Sequence, residues 1–542
     1  MALASLKDHT SSILPSLSYT ELLAFAGTTY AIYSVLRIIY RLTLHPLAKY
    51  PGNFIEKISD WPLIYYCYNG DRHLRIQEAH RKYGTVVRIG PNTLDFNTAT
   101  ALSAIHRDRN ANVKKADWYD TVDAGSGARS VQSVVDKPYH AFRRKMLLPA
   151  FSETALREHE KFIDNNVTTM IDEMCKECNQ EDSKDVWTSP VDFMLFAAWY
   201  GFDYTADLAF GSPMKLLENE HRYVPDVVKW TSQFLYYVGY LPFAPLIRPI
   251  LIHTSVIKHL PSKNTRDTAK FFQIGEERLV ARQAAEERSV ENDKDVRRDI
   301  FHYIFHARDE TGVALSQEEM IADASFFLAA GSDGVGIALS AALFYLLQNP
   351  ESLTTLTTEL RSSFASVDEI RLPKLNQLPY LYGVVEEALR LVPCVSSQFP
   401  REVLPGGMTV DDQYIPAGTV VGTSPYALHH NEENYPDSFA FKPERWLGDE
   451  ESVARAKSAF NTFSVGQYNC IGKNVAYLAI KLVIAKLLWG YEVRVPEEVG
   501  LIGGGGRGAW KGDLRRENEY QLLDYLVGYR EGPIVQFRKR KV

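Results

Sequence analysis

The chain has 542 residues, 45% of them hydrophobic, with a formal charge of −7 and a pI near 6.1. That negative balance argues against bulk electrostatic attraction to nucleic acid, and 5 cysteines over such a length do not make a disulfide framework. No low-complexity run, internal repeat or long Pro/Ser/Gly spacer divides the sequence, so its main part reads as one large domain or two tightly fused ones.

Residues 1–21 form a short N-terminal tail. Leu22 to Tyr40 (LLAFAGTTYAIYSVLRIIY) is apolar except for Arg37. As a helix it spans about 28 Å, close to the thickness of a hydrocarbon core. A transmembrane signal-anchor helix is predicted over 22–41, with Arg37 near enough to its end to snorkel. Positive charge collects after the segment at Arg37, Arg41 and Lys49, whereas Lys7 before it is offset by Asp8 and Glu21. The positive-inside rule then places the main domain on the cytosolic side. The apolar run starts late and no small-x-small site follows it, which argues against a cleaved signal peptide. HPLAKYPG, within 42–52, has the prolines of a stiff hinge, and 53–542 is expected to be the folded domain. The sequon Asn166-Val167-Thr168 would stay unmodified on a cytosolic domain.

Up to about residue 110, β-like runs such as TVVRIG (85–90) mix with helical segments, and 150–350 is mostly helical in pattern. Cys175 and Cys178 form a CxxC on an acidic stretch without a second ligand pair, which reads as coincidence rather than zinc or redox chemistry. WTSQFLYYVGYLPFAPLI (230–247) is an aromatic candidate for the roof of a cavity or for dipping into a bilayer. Ser316 and Glu319 then form a capping box that opens a long helix, and Asn349-Pro350 ends it. The middle of this helix, ASFFLAAGSDGVGIALSAALFYLL, carries one charge, Asp333, so it is expected to cross the interior of a large domain. Gly331, Gly334 and Gly336 each weaken it by roughly 1 kcal/mol relative to Ala, so their smallness must serve something else. After Pro393, turns alternate with short strands such as TVVGTS (419–424), and an apolar helix from Gly472 to Trp489 is stopped by Gly490. GGGGRG (503–508) satisfies G-x-G-x-x-G literally, but too little chain follows it for a nucleotide domain, and it reads as a surface loop.

The chemistry concentrates in FSVGQYNCIGK, Phe463 to Lys473. Cys470 lies between Gly466 and Gly472, immediately before a helix start. Glycine on both sides permits tight turns and the close approach of a large flat group, and the helix N-terminus stabilises a thiolate. Such a thiolate is a nucleophile or a metal ligand.

This stretch resembles the haem-binding loop of the cytochrome P-450 superfamily, F-x-x-G-x-R-x-C-x-G. Phe463, Gly466, Cys470 and Gly472 match, and Tyr468 stands at the arginine position. The resemblance extends over nearly the whole chain. EEALRLVP carries Glu387 and Arg390 as E-x-x-R, and FKPERW carries Arg445; in the family these three form a buried ion network on the proximal side of the haem. HAFRRKMLLPAF (140–151) is similar to the W-x-x-x-R helix, with His140 and Arg144 in the two propionate-facing places. Arg401 in FPREV resembles a further propionate-binding arginine, and His429 in YALHHN is another expected haem contact. Arg144 and Arg401 are expected to make up for the charge that Tyr468 does not supply. The long helix resembles the one that crosses the distal face of the haem with [AG]-G-x-[DE]-T. Ala330, Gly331, Ser332 and Asp333 match, while Gly334 stands where the threonine hydroxyl that assists oxygen activation belongs. Water, Ser332 or a substrate hydroxyl is expected to take over that role.

The resemblance implies a mainly α fold with a small β region, preceded by one transmembrane helix. It implies haem b held by Cys470 as the axial iron ligand, with NADPH and flavins acting only through a separate reductase of the same endoplasmic reticulum membrane. Lys145, Lys473 and Lys481 are candidates for the basic docking face. Trp118 to Val134 and Val395 to Phe399 fall where the family's substrate pocket is lined, and their composition suits a largely apolar substrate. HPLAKYPG, NCIGKN and PERWL are most similar to filamentous-fungal enzymes of the pisatin demethylase and benzoate hydroxylase kind. The expected activity is monooxygenation of a small molecule in secondary metabolism. The alternatives are oxidative coupling, desaturation or rearrangement without oxygen insertion, and non-catalytic haem binding.

Overall fold

The structure, a computed structural model, describes residues 18–121, 128–179, 186–241, 262–291, 297–505 and 516–541. Helix α1 (Tyr19–Thr43) begins at a capping box in which Ser18 accepts from the Glu21 N–H and Glu21 reaches back to the Ser18 N–H. It buries none of its residues, as expected of a segment whose apolar side chains face lipid. The capping box starts it 3 residues before the predicted Leu22. The segment after it, 42–52, is not a free joint. Leu47 and Tyr50 are buried in a cluster with Val86, Leu94, Phe96 and Val421. The fully buried Arg88 guanidinium donates to the carbonyls of Arg41 and Leu47 at 2.8 and 3.3 Å.

That cluster backs a sheet of five strands: β1 (Val86–Gly90), β2 (Thr93–Phe96), β3 (Val113–Lys115), β4 (Arg401–Val403) and β5 (Val420–Gly422), in the order β1-β2-β5-β4-β3. Only the β2–β5 pair is parallel. The antiparallel β3–β4 register sets Lys115 opposite Arg401, which places two cations side by side.

Apart from three small sheets of 2, 3 and 2 strands, the rest of the described chain is mainly helical. α2 (Lys137–Leu147), α3 (Glu153–Cys175), α4 (Phe193–Phe210), α5 (Val224–Val238), α6 (Lys263–Glu291), α7 (Ile300–His306), α8 (Gln317–Gln348), α9 (Pro379–Leu391) and α10 (Lys473–Gly490) surround one extended apolar core. α8 would suit a membrane by length and composition, but most of its apolar window is buried by other helices. It is the core-crossing helix that its all-round apolar pattern predicts.

Two glycines of α8, Gly331 and Gly336, meet α4. A Cβ on Gly331 would lie 2.8 Å from the Thr205 methyl, and one on Gly336 would lie 3.1 Å from the Ala197 carbonyl oxygen. From the other side, a Cβ on Gly201 would lie 2.2 Å from the Ser332 carbonyl oxygen. Larger residues at these points would force the two helices apart. The sequon residue Asn166 is buried and donates to Asp207 at 2.9 Å, so glycosylation there reports nothing about topology. Cys178 donates to the Cys175 carbonyl at 3.2 Å in the turn after α3, with both thiols buried. In the GGGGRG run, Gly504 bridges to Tyr520 in irregular backbone, and 506–508 lie outside the described residues.

Candidate active site

Cys470 opens onto a cavity of about 380 Å³. Its loop is bent by Gly466, whose left-handed φ of 71° and close approach to the His106 carbonyl leave no room for a Cβ. The Cys470 N–H donates to the Phe463 carbonyl at 2.8 Å, and the Thr462 hydroxyl ties the loop to the Leu389 carbonyl of α9 at 2.8 Å. Burial pushes the Cys470 thiol up, while the Gly472 N–H, Arg144 and Lys473 pull it down. A bound metal ion would complete the deprotonation of a sulfur so placed.

The opposite wall is α8, presenting Ala329, Ala330, Gly331, Gly334 and Val335. Ser332 is turned away. It is fully buried against Gly201, and its hydroxyl donates to the Leu328 carbonyl at 2.5 Å, so it does not replace the missing threonine. Asp333 is also outside the lining; its carboxylate pairs with the buried Arg530 at 2.8 Å. The space beside Gly334 is taken by Cys394, whose thiol burial and the nearby Asp333 push up to about 12. The Tyr204 hydroxyl donates to the Gly331 carbonyl at 2.7 Å. Tyr119, Val131 and Gln132 line the cavity from the 118–134 stretch, and Val395 and Phe399 line it from the chain after α9. Val228, Thr231, Ser232 and Leu235 of α5 form part of the roof that the aromatic stretch predicts, and 242–247 lie outside the described residues.

At one edge of the cavity, cations converge on Tyr468. The Arg401 guanidinium is 4.7 Å and the Lys115 ammonium 5.2 Å from its ring centroid, and the His140 ring centroid is 4.7 Å away. Arg144 grips Asn469 beside Cys470, donating to its carbonyl at 2.7 Å and also to its side chain. Burial, with Lys115 and Arg144 close by, pushes the His140 imidazole down to about 3, so it is neutral. The Tyr468 hydroxyl and the Arg401 Nε are buried without a hydrogen-bond partner, and no carboxylate pairs with Arg144 or Arg401 among the described residues. A thiol at a cavity floor, flanked by cations and orphaned donors, fits a flat iron macrocycle carrying two carboxylates. Lys115 is absent from the sequence expectations because only strand register brings it to Arg401.

Outside the cavity lining, Glu387 and Arg390 are fully buried and form two parallel hydrogen bonds of 2.8 Å. Arg445 approaches Glu387 at 3.4 Å, and Trp446 Nε1 and the Lys442 N–H donate to it at 2.9 and 3.0 Å. His429 belongs here and not to the cavity. Its Nδ1 donates to the Arg390 carbonyl at 2.9 Å and its Nε2 accepts from the Asn461 N–H at 3.1 Å. Both nitrogens are thus engaged, and the expected haem contact is replaced by a brace on the ion network. Lys481 is also displaced from expectation. It is buried and donates to Asn376, so of the three lysines only Lys145 and Lys473 are exposed.

The family model described as Cytochrome P450 matches residues 60–502. The chain is 34% identical over 525 residues to "Cytochrome P450 monooxygenase fscF" of Fusarium equiseti, covering 95% of this chain and 96% of that one. It is 33% identical over 533 residues to "Cytochrome P450 monooxygenase apf7" of Gibberella fujikuroi, covering 94% and 97%. To "Cytochrome P450 monooxygenase AKT7" of Alternaria alternata it is 34% identical over 516 residues, covering 93% and 94%.

Proposed function

The chain belongs to the cytochrome P450 family, and from that premise we propose that it hydroxylates or otherwise oxygenates a mostly apolar small molecule as a tailoring step in fungal secondary metabolism. The observation that carries the proposal is the placement of Cys470 in the lining of a large, mostly apolar cavity that α5 and α8 also line. Haem held through Cys470 would supply dioxygen activation, with the thiolate as the electron-donating ligand. The chain's own residues do the rest. Arg144, Arg401, Lys115 and Tyr468 would hold the carboxylates of the cofactor, and Cys470 would hold its iron. Phe271, Phe272, Leu389 and Val395 exclude water and orient apolar parts of the substrate, while Thr231, Ser232 and Gln132 offer a few polar contacts.

Electrons come from NADPH through a separate flavoprotein reductase, with Lys473 as an exposed cation three residues after Cys470 and Lys145 exposed but paired with Glu310 at 2.7 Å. α1 anchors the protein in the endoplasmic reticulum membrane, with the domain facing the cytosol. Turnover of candidate substrates with reductase and NADPH tests the reaction. A product heavier by one oxygen supports oxygenation. One specific observation favours a second reading: no hydroxyl of α8 faces the cavity beside Gly334. A product with unchanged oxygen count would establish coupling or desaturation instead. Comparing metabolites of intact and knockout strains identifies the substrate class.

A further inference from the structure

We propose that Glu286, His302 and His306 form a binding site for a divalent transition metal ion such as zinc, outside the haem cavity and between α6 and α7. The sequence His302-Tyr-Ile-Phe-His306 puts two imidazoles four residues apart on one face of α7. Glu286, from α6, projects between them. Its Oε1 lies 2.6 Å from His302 Nδ1 and 3.0 Å from His306 Nε2, and one ligand atom from each of the three falls within 4.8 Å of the others. Two imidazole nitrogens and a carboxylate oxygen are a donor set that zinc accepts, with a fourth position left for water or a further ligand.

The surroundings support the ligands. Arg282 Nη2 lies 2.7 Å from the other carboxylate oxygen of Glu286, which aims Oε1 at the rings. Arg282 is itself held at 2.6 Å by Asp299, and Asp299 also caps α7 by accepting from the His302 N–H at 3.0 Å. A ligand carboxylate fixed by a second partner that is fixed in turn is how metal sites are pre-organised. The Glu286 side chain is only 6% exposed, whereas that of His306 is 57% exposed, so the open position faces solvent. Without metal, one carboxylate oxygen accepts an N–H from each ring. Binding through the same two nitrogens would place each ring's proton on its other nitrogen.

The test uses the full-length haem-loaded protein, stripped with a chelator and titrated with zinc chloride by calorimetry and thermal unfolding. The intact chain is expected to take up one zinc saturably and to melt at a higher temperature with it. His306→Ala, at a mostly exposed position, is expected to fold as the intact chain does and to lose both effects; Glu286→Gln is expected to lose them too. Absence of saturable zinc uptake by the intact chain overturns the proposal. So does uptake by His306→Ala equal to that of the intact chain, because the cluster would then be only a hydrogen-bonded carboxylate between two histidines.

Discussion

The sulfur of Cys394 lies 3.2 Å from the point that a Cβ on Gly334 would occupy. These two residues fill together the place where a side chain from α8 would otherwise face the cavity. In Gly334→Ala, the methyl presses on the thiol, and the helix-propensity gain of about 0.5–1 kcal/mol is offset. With Cys394→Ala the space opens and that gain is expected to reappear. Unfolding free energies of the two single variants and the double variant measure the coupling. Additivity to within about 0.3 kcal/mol would mean that the sulfur does not constrain position 334. Gly334→Thr is likewise expected to lower peroxide release relative to product only in the Cys394→Ala background.

The cations around Tyr468 predict an order of haem retention. A charged hydrogen bond contributes about 1.5–3 kcal/mol, so removing one such contact to a propionate should speed haem loss roughly tenfold to a hundredfold. Arg401→Met, Arg144→Met and Lys115→Met are each expected to lose haem faster than Tyr468→Phe, as read by transfer to an excess of an apo haem protein. If Tyr468→Phe loses haem as fast as the arginine variants, the phenol itself is the main anchor and the compensation by cations fails.

Glu387 and Arg390 form a fully buried ion pair. Removing the carboxylate leaves the guanidinium buried with only carbonyl partners at His429, Ser438 and Ala440. Glu387→Ala is expected to cost about 3–5 kcal/mol and to abolish accumulation of haem-loaded protein. The pair also has an acid limit. Burial alone would raise the Glu387 carboxyl, but Arg390, then Arg445 and the Lys442 N–H, hold it below its ordinary 4.5. A depressed folded value means that its stabilisation is present above 4.5 and is lost as pH falls below it. A loss of less than about 1 kcal/mol in Glu387→Ala would show that the carbonyls suffice for Arg390.

Much of the site was legible because its signals are local. Phe463, Gly466, Cys470 and Gly472 announce a bent loop with a lone cysteine within ten residues, and Ser316 with Glu319 marks where α8 starts. Directions around α8 were not legible. Whether Ser332 or Gly334 faces the cavity depends on which side packs on α4, and that is decided by Gly201 and Thr205 far earlier in the chain. His429 was misplaced for the same reason: its partners, the Arg390 carbonyl and the Asn461 N–H, meet only in the folded chain. Lys115 gave no signal at all, since its meaning rests on antiparallel register with Arg401.

His159 gives the last prediction. It is wholly buried on α3 beside Tyr303, and neither ring nitrogen has a hydrogen-bond partner among the described residues. Burial, reinforced by the nearby Arg297 charge, pushes its imidazole down from 6.5 to about 4. The unfolded chain therefore binds a proton that the folded chain refuses between those two values. Its stabilisation is complete above pH 6.5 and falls by up to about 1.4 kcal/mol per pH unit as acid is added toward pH 4. His159→Leu removes both this titration and two unsatisfied nitrogens. At pH 5 it is expected to be more stable than the intact chain by about 2 kcal/mol, with a smaller difference at pH 7.5, measured as unfolding midpoints in denaturant. His140 and His429 shift in the same direction and keep part of the acid sensitivity, so only the difference between the two chains is diagnostic. An equal dependence on pH in both would show that His159 already finds a proton acceptor in the folded protein.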